Sequence, residues 1–214
     1  DMNIPGRVAI LGSGSWATAV AKIVQQNCAD MYWYMRNQDR IEQFQNLGHN
    51  PAYLSSVRFD VSRIKFTADI NEAVRGSDTV IFAMPSPYLK MHAEKIEASF
   101  KNKIVISVIK GIVADDNITI SEYLQAKFGL EDWQVATLSG PSHAEEVAYE
   151  RLTYLTVGCK DDDVAEELAD FFGNYYVHTT VSNDIIGIQY AGVLKNIYAI
   201  ASICLITLFV QLYA

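Results

Sequence analysis

Residues 7–21, RVAILGSGSWATAVA, decide how the rest of the chain is read. Val8 to Leu11 is a short apolar run of the kind that forms a buried strand. Gly12-Ser13-Gly14-Ser15-Trp16-Ala17 follows, and then Ala17, Val20, Ala21 and Val24 recur with helical spacing. Strand, glycine turn and helix in this order make the first half of a dinucleotide-binding βαβ unit. Gly12 permits a tight turn off the strand. Gly14 carries no Cβ, so a pyrophosphate can approach the backbone. Ala17 stands where a third glycine is common and lets the helix pack closely on the strand. Ser15 and Trp16 open the helix, whose free N–H groups and positive dipole end attract phosphate. Two other readings stay open on these residues alone: a ligand-free glycine turn, and a nucleoside-binding fold such as a methyltransferase.

The chain has 214 residues, half of them hydrophobic and 20% charged, which is enough material for a large core. A net charge of −8 argues against nucleic acid as a partner, because phosphate backbones need a basic surface. It leaves room for a small phosphorylated ligand at a local positive site. Cys28, Cys159 and Cys204 show no metal or redox spacing and read as buried free thiols; no metal is expected. No basic region followed by an apolar run opens the sequence, so a cytoplasmic protein is expected.

Beyond the first helix, Met31–Met35 (MYWYM) reads as a second strand, with Arg36 at its end. That position reads the adenosine ribose in dinucleotide sites. An acidic residue there binds the 2′-hydroxyl of NAD, whereas arginine suits a 2′-phosphate, so Arg36 leans towards NADP(H) without excluding NAD(H). Residues 38–48 read as a polar helix and 49–63 as irregular. A strand over 64–67 and a short helix over 69–75 with Asp69 as its N-cap come next. Thr79–Met84 and Ile104–Ile109 are continuous apolar runs, as expected of strands covered on both faces, with a helix over 88–100 between them. Lys110-Gly111 follows the second run, at the strand end where ligands sit in open α/β sheets. Residues 134–138 form a further strand and run into Ser139-Gly140-Pro141-Ser142. A helix then begins at about His143, with Glu145 and Glu146 in its first turn. His143 itself reads as structural or peripheral. Strands over 152–157 and 175–179 flank an amphipathic helix over 161–172, bringing the total to about eight strands.

From Asp184 the chain turns apolar and helical. Gly187, Ala191 and Lys195 fall on one helix face. A lysine on an apolar helix is costly unless its charge is paired or used, which singles out Lys195.

Four blocks, GSGSWATA (12–19), SVIKG (107–111), LSGPSHAEEVA (138–148) and GVLKNIYAIA (192–201), together resemble the NAD(P)-dependent glycerol-3-phosphate dehydrogenases of the bacterial biosynthetic type. The resemblance runs from Arg7 to Ser202. It implies an α/β fold: a Rossmann-like doubly wound, mostly parallel sheet over residues 1–181, then the first helix of an all-α domain over 182–214. It implies interconversion of dihydroxyacetone phosphate and sn-glycerol 3-phosphate with NADP(H) or NAD(H), in glycerophospholipid precursor synthesis, and a homodimer. By the same resemblance Lys195 exchanges the proton, Lys110 contacts both substrate and nucleotide, and Gly140, Ser142 and Asn196 line the substrate site. Ser15, Trp16, Arg36 and Ala144 hold the cofactor beside Gly12 and Gly14.

The family continues past this helix with a glycine-rich turn and a helical domain that grips the glycerol phosphate. This chain departs from that pattern after Ser202 and ends at Ala214, so slow turnover or none is expected of it. The apolar run 197–214 is short for a membrane span and reads as a core helix or a self-associating surface. Two rivals keep parts of the reading: a related dehydrogenase of another hydroxy acid or sugar acid, and a non-catalytic nucleotide-binding module.

Overall fold

The computed structural model describes residues 4–194. Lys195, Asn196, Cys204 and the apolar run 197–214 lie outside the described residues.

Among the described residues the strands and α-helices follow one another as β1 (Val8–Leu11), α1 (Ser15–Asn27), β2 (Met31–Tyr34), α2 (Gln38–Leu47), β3 (Ile64–Thr67), α3 (Ile70–Arg75), β4 (Thr79–Phe82), α4 (Leu89–Ala93), β5 (Ile104–Ser107), β6 (Ile112–Val113), β7 (Ile118–Thr119), α5 (Ile120–Phe128), β8 (Val135–Ser139), α6 (Ala144–Ala148), β9 (Thr153–Cys159), α7 (Asp162–Phe172) and β10 (Val177–Ser182). A further helix covers residues 185–194. Eight strands build one sheet in the order β10-β9-β8-β5-β4-β1-β2-β3, and β6 and β7 form a separate hairpin. Every pairing in the large sheet is parallel except β8 with β9. The expected Rossmann-like, mostly parallel sheet is therefore what the chain forms.

The apolar runs are continuous because both faces of the sheet are covered. Val8 and Ile10 of β1 pack into a core shared with α1, α2, α6 and α7. Ala9 and Leu11, which alternate with them, pack into a second core with α3, α4 and α5. Trp33 and Tyr34 of β2 divide between the two cores in the same way. Alternation along each strand thus distributes side chains between two layers.

Two expectations need correction. The helix expected over 88–100 ends at Ala93. Asn71 on α3 bonds the segment after it: its Oδ1 accepts from Glu97 N and Ala98 N, and its Nδ2 donates to Lys95 O. Those backbone groups are satisfied without a helix. Cys28 is partly exposed, whereas Cys159 is buried; burial raises the pKa of both thiols. The region between β5 and β8 also holds a hairpin and the helix α5, which the sequence reading left undescribed. A capping box starts α5: Thr119 Oγ1 accepts from Glu122 N, and Glu122 accepts from Thr119 N.

Candidate active site

The strand order reverses between β1 and β4, and the glycine turn sits at that reversal. Open α/β sheets bind ligands at such a switch point. Ala83 N donates to Leu11 O at 2.9 Å, holding the ends of β4 and β1 together. Gly12 then turns with φ +124°, and a Cβ on it would stand 2.6 Å from the Ala83 carbonyl oxygen. Both the conformation and the space require glycine here. Around Gly14 the situation is different: a Cβ there would meet nothing within 4 Å. The approach to its backbone is open, as a docking pyrophosphate requires. Ala17, fully buried, seats α1 against the sheet. The turn residues therefore fit a dinucleotide.

The carbonyls of this turn are tied back into the protein. Trp33 Nε1 donates to Gly12 O at 2.7 Å. Asn50 Nδ2 donates to Ser13 O at 3.1 Å. Thr18 donates to Gly14 O from both its backbone N, at 3.0 Å, and its Oγ1, at 2.7 Å. Sequence reasoning missed Trp33 and Asn50, because both reach the turn from elements distant in the chain.

A cavity of about 440 Å³ opens beside the turn. Trp16, Lys110, Gly140, Thr137, Gln189 and Gly192 are among its walls, so it joins the start of α1, the ends of β5 and β8, and the helix over 185–194. Lys110 Nζ lies 4.3 Å from the Trp16 ring centroid and donates to Ser142 O at 3.5 Å. Gly140 is forced by packing, since a Cβ would collide with the Tyr154 carbonyl. Thr137 Oγ1 and Gln189 Oε1 are buried without a hydrogen-bond partner among the described residues. Such atoms in a cavity wall are available to a polar ligand or water.

Of the residues expected at the site, Trp16, Lys110 and Gly140 meet at this cavity, with Ser142 behind Lys110. Ala144 is buried as the first residue of α6. His143 is exposed, borders the cavity and stands at the N-cap of α6, where its backbone N donates to Glu146 Oε2 at 3.0 Å. Gly12, Gly14 and Ser15 form the neighbouring turn. Arg36 stands apart, exposed beyond the end of β2. A second cation that the sequence did not single out, Arg40, reaches Ser13 Oγ at 3.3 Å and lies over the Tyr53 ring. Among the described residues, no group of three or more His, Cys, Asp or Glu is placed to hold a metal, and no helix is long and apolar enough to cross a membrane.

Fold and turn together define a chain of the Rossmann-like class. The protein-family model described as the NAD-dependent glycerol-3-phosphate dehydrogenase N-terminus matches residues 7–165. The chain is 34% identical over 198 residues to glycerol-3-phosphate dehydrogenase [NAD(P)+] of Staphylococcus epidermidis, covering 92% of this chain and 59% of that protein. It is 35% identical over 198 residues to the Bacillus subtilis protein of the same name, covering 92% and 57%. Among solved structures, glycerol-3-phosphate dehydrogenase of Plasmodium falciparum superposes with a TM-score of 0.81 at 26% identity, over 90% of this chain and 57% of that one. The Coxiella burnetii enzyme superposes with a TM-score of 0.78 over 93% and 60%; at 24% identity the likeness is one of fold. The chain belongs to the NAD-dependent glycerol-3-phosphate dehydrogenase family, and the match falls on the N-terminal part of that family. It spans 57–59% of the length of these two curated relatives.

Proposed function

We propose that this chain carries the nucleotide-binding half of an oxidoreductase that interconverts dihydroxyacetone phosphate and sn-glycerol 3-phosphate, supplying a precursor of glycerophospholipids in the cytoplasm. The observation that carries the reading is the convergence of Trp16, Lys110 and Gly140 on one cavity beside a glycine turn open at Gly14. Residues 1–181 form the NAD(P)-binding domain in this reading, and residues 182–214 begin the substrate domain. The partners are a small phosphorylated substrate and a second copy of the chain, not nucleic acid.

Gly12, Gly14, Ser15 and Trp16 hold the dinucleotide, with Arg36 at its adenosine end and Ala144 against it. The cofactor, when bound, supplies or accepts the hydride. Lys110 holds substrate and nucleotide together at the end of β5. Reduction of a ketone builds negative charge on its oxygen, and an ammonium group there both stabilises that charge and delivers the proton. Lys195 takes this role: it donates the proton in reduction and accepts it in oxidation. What supports this role is the motif itself, together with Ala191 and Gly192 of the helix over 185–194, which line the cavity. Asn196, beside it, orients the substrate with Gly140 and Ser142.

The test is a fluorescence titration with NADPH and with NADH, followed by single-turnover reduction of dihydroxyacetone phosphate at millimolar concentration. Saturable nucleotide binding and at most a slow, substrate-dependent loss of NADPH are expected, and Lys195→Ala should abolish that loss while leaving nucleotide binding in place. Reduction of a 2-keto acid in place of dihydroxyacetone phosphate would overturn the substrate. Absence of nucleotide binding would overturn the whole reading.

A further inference from the structure

We propose that Asn50 is a positioning residue for the pyrophosphate of the dinucleotide: it sets the glycine turn in its binding conformation from outside the glycine motif. The proposal rests on the dinucleotide reading above and deepens it.

Asn50 lies on the loop after α2 and is fully buried. An asparagine side chain offers two donors and an oxygen with two acceptor sites. Here all four are used. Nδ2 donates to Ser13 O at 3.1 Å and to Thr18 Oγ1 at 2.9 Å. Oδ1 accepts from Ala52 N at 2.9 Å and from Tyr53 N at 3.2 Å. The two backbone donors fix which end of the amide is oxygen, so the nitrogen must face the turn. Thr18 passes the constraint on, since its hydroxyl donates to Gly14 O.

The consequence follows from peptide geometry. In a planar trans peptide the C=O of one residue and the N–H of the next point in opposite directions. Trp33 draws the Gly12 carbonyl inward, Asn50 the Ser13 carbonyl, and Thr18 the Gly14 carbonyl. The N–H groups of Ser13, Gly14 and Ser15 are thereby turned away from those anchors. Successive N–H groups displayed together form an anion-binding concavity. Of the three anchors, Thr18 belongs to α1 itself and Trp33 to the neighbouring strand. Asn50 alone comes from a loop, and it ties that loop to the turn. The loop also brings Tyr53 under Arg40, which reaches Ser13 Oγ.

The experiment compares the unaltered chain with Asn50→Asp and Thr18→Val. Asn50→Asp keeps the oxygen for Ala52 and Tyr53 and replaces both N–H donors, so the Ser13 carbonyl loses its anchor. Thr18→Val keeps the shape and removes the hydroxyl relay, and it carries the test if Asn50→Asp does not fold. Affinities for NADPH, NADH, ADP-ribose and adenosine are measured at a temperature where circular dichroism shows each variant folded. The three ligands with a pyrophosphate are expected to lose tenfold or more in Asn50→Asp and several-fold in Thr18→Val, while adenosine stays within twofold. A purely structural role would spare all four ligands or weaken adenosine in parallel, and either result overturns the proposal. If the unaltered chain binds neither NADPH nor NADH, the dinucleotide reading itself falls. Binding by the unaltered chain with unchanged affinities in the folded variants overturns the role of Asn50 alone.

Discussion

The Lys110 ammonium sits 4.3 Å from the centroid of the Trp16 ring, so the end of β5 and the first turn of α1 meet through one cation–π contact. Such contacts contribute roughly 0.5–2 kcal/mol, more as water is excluded. Trp16→Leu should therefore weaken NADPH binding about three- to tenfold, and Trp16→Phe should weaken it less. In a double-mutant cycle with Lys110→Met the two effects should be non-additive by about 1 kcal/mol. Additive losses in that cycle would show that the contact contributes nothing to nucleotide binding.

The two glycines of the turn should fail differently. Gly12→Ala places a Cβ 2.6 Å from the Ala83 carbonyl at a φ of +124°. Strain and collision together should cost roughly 2–4 kcal/mol, read as a lower urea midpoint. Gly14→Ala meets open space and has a φ of −81°, so its stability should stay within about 1 kcal/mol. Its loss should appear in nucleotide affinity, because the new methyl group occupies the approach to the backbone.

The same contrast shows what the sequence made legible. The turn, the strands beside it and the lysine after β5 announce themselves locally, through apolar runs and glycine spacing. Asp69 is the N-cap of α3 as its position foretold, accepting from Asn71 N. What stayed hidden depends on side chains that act across the chain. Asn71 holds the segment after α4 from another helix, and Asn50 anchors the glycine turn from 37 residues away. Neither carries a local pattern. The capping box of α5 was written in Thr119 and Glu122, three residues apart, and could have been read. The antiparallel entry of β9 could not, since nothing in TYLTVGC marks which way the strand runs against β8. Lys195 and Asn196, which the resemblance names for proton exchange and for orienting the substrate, lie outside the described residues.

Cofactor preference should turn on Arg36. It stands exposed past the end of β2, where a 2′-phosphate is read, while Arg40 lies nearer the turn against Ser13. Arg36→Asp removes a cation and adds a negative charge at that position. NADPH affinity should drop tenfold or more, and NADH affinity should stay within about threefold, because Arg40 remains in place. Fluorescence titration of both nucleotides reads this directly. An equal loss for both would show that Arg36 acts on the shared part of the dinucleotide and not on its 2′ position.

Stability should depend on pH through His92. Its ring is buried against Tyr34, with centroids 5.6 Å apart and Nδ1 3.2 Å from the Tyr34 hydroxyl. Burial, reinforced by the charges of Lys95 and Arg36, holds the His92 pKa below its ordinary value of 6.5. The folded chain therefore resists a proton that the unfolded chain accepts. The stabilising effect of a neutral His92 is fully present above about pH 6.5 and is lost as pH falls through that value towards the folded pKa. One proton sets a slope of at most about 1.4 kcal/mol per pH unit. Glu72, held low chiefly by the Thr67 hydroxyl and Lys65, keeps its contribution until the pH falls below about 4.5, so the interval from 5 to 6.5 isolates the histidine. Urea midpoints measured across that interval should decline in the unaltered chain. In His92→Phe, which preserves a ring against Tyr34 but cannot titrate, the decline should be shallower. Parallel declines in the two proteins would assign the effect to other groups.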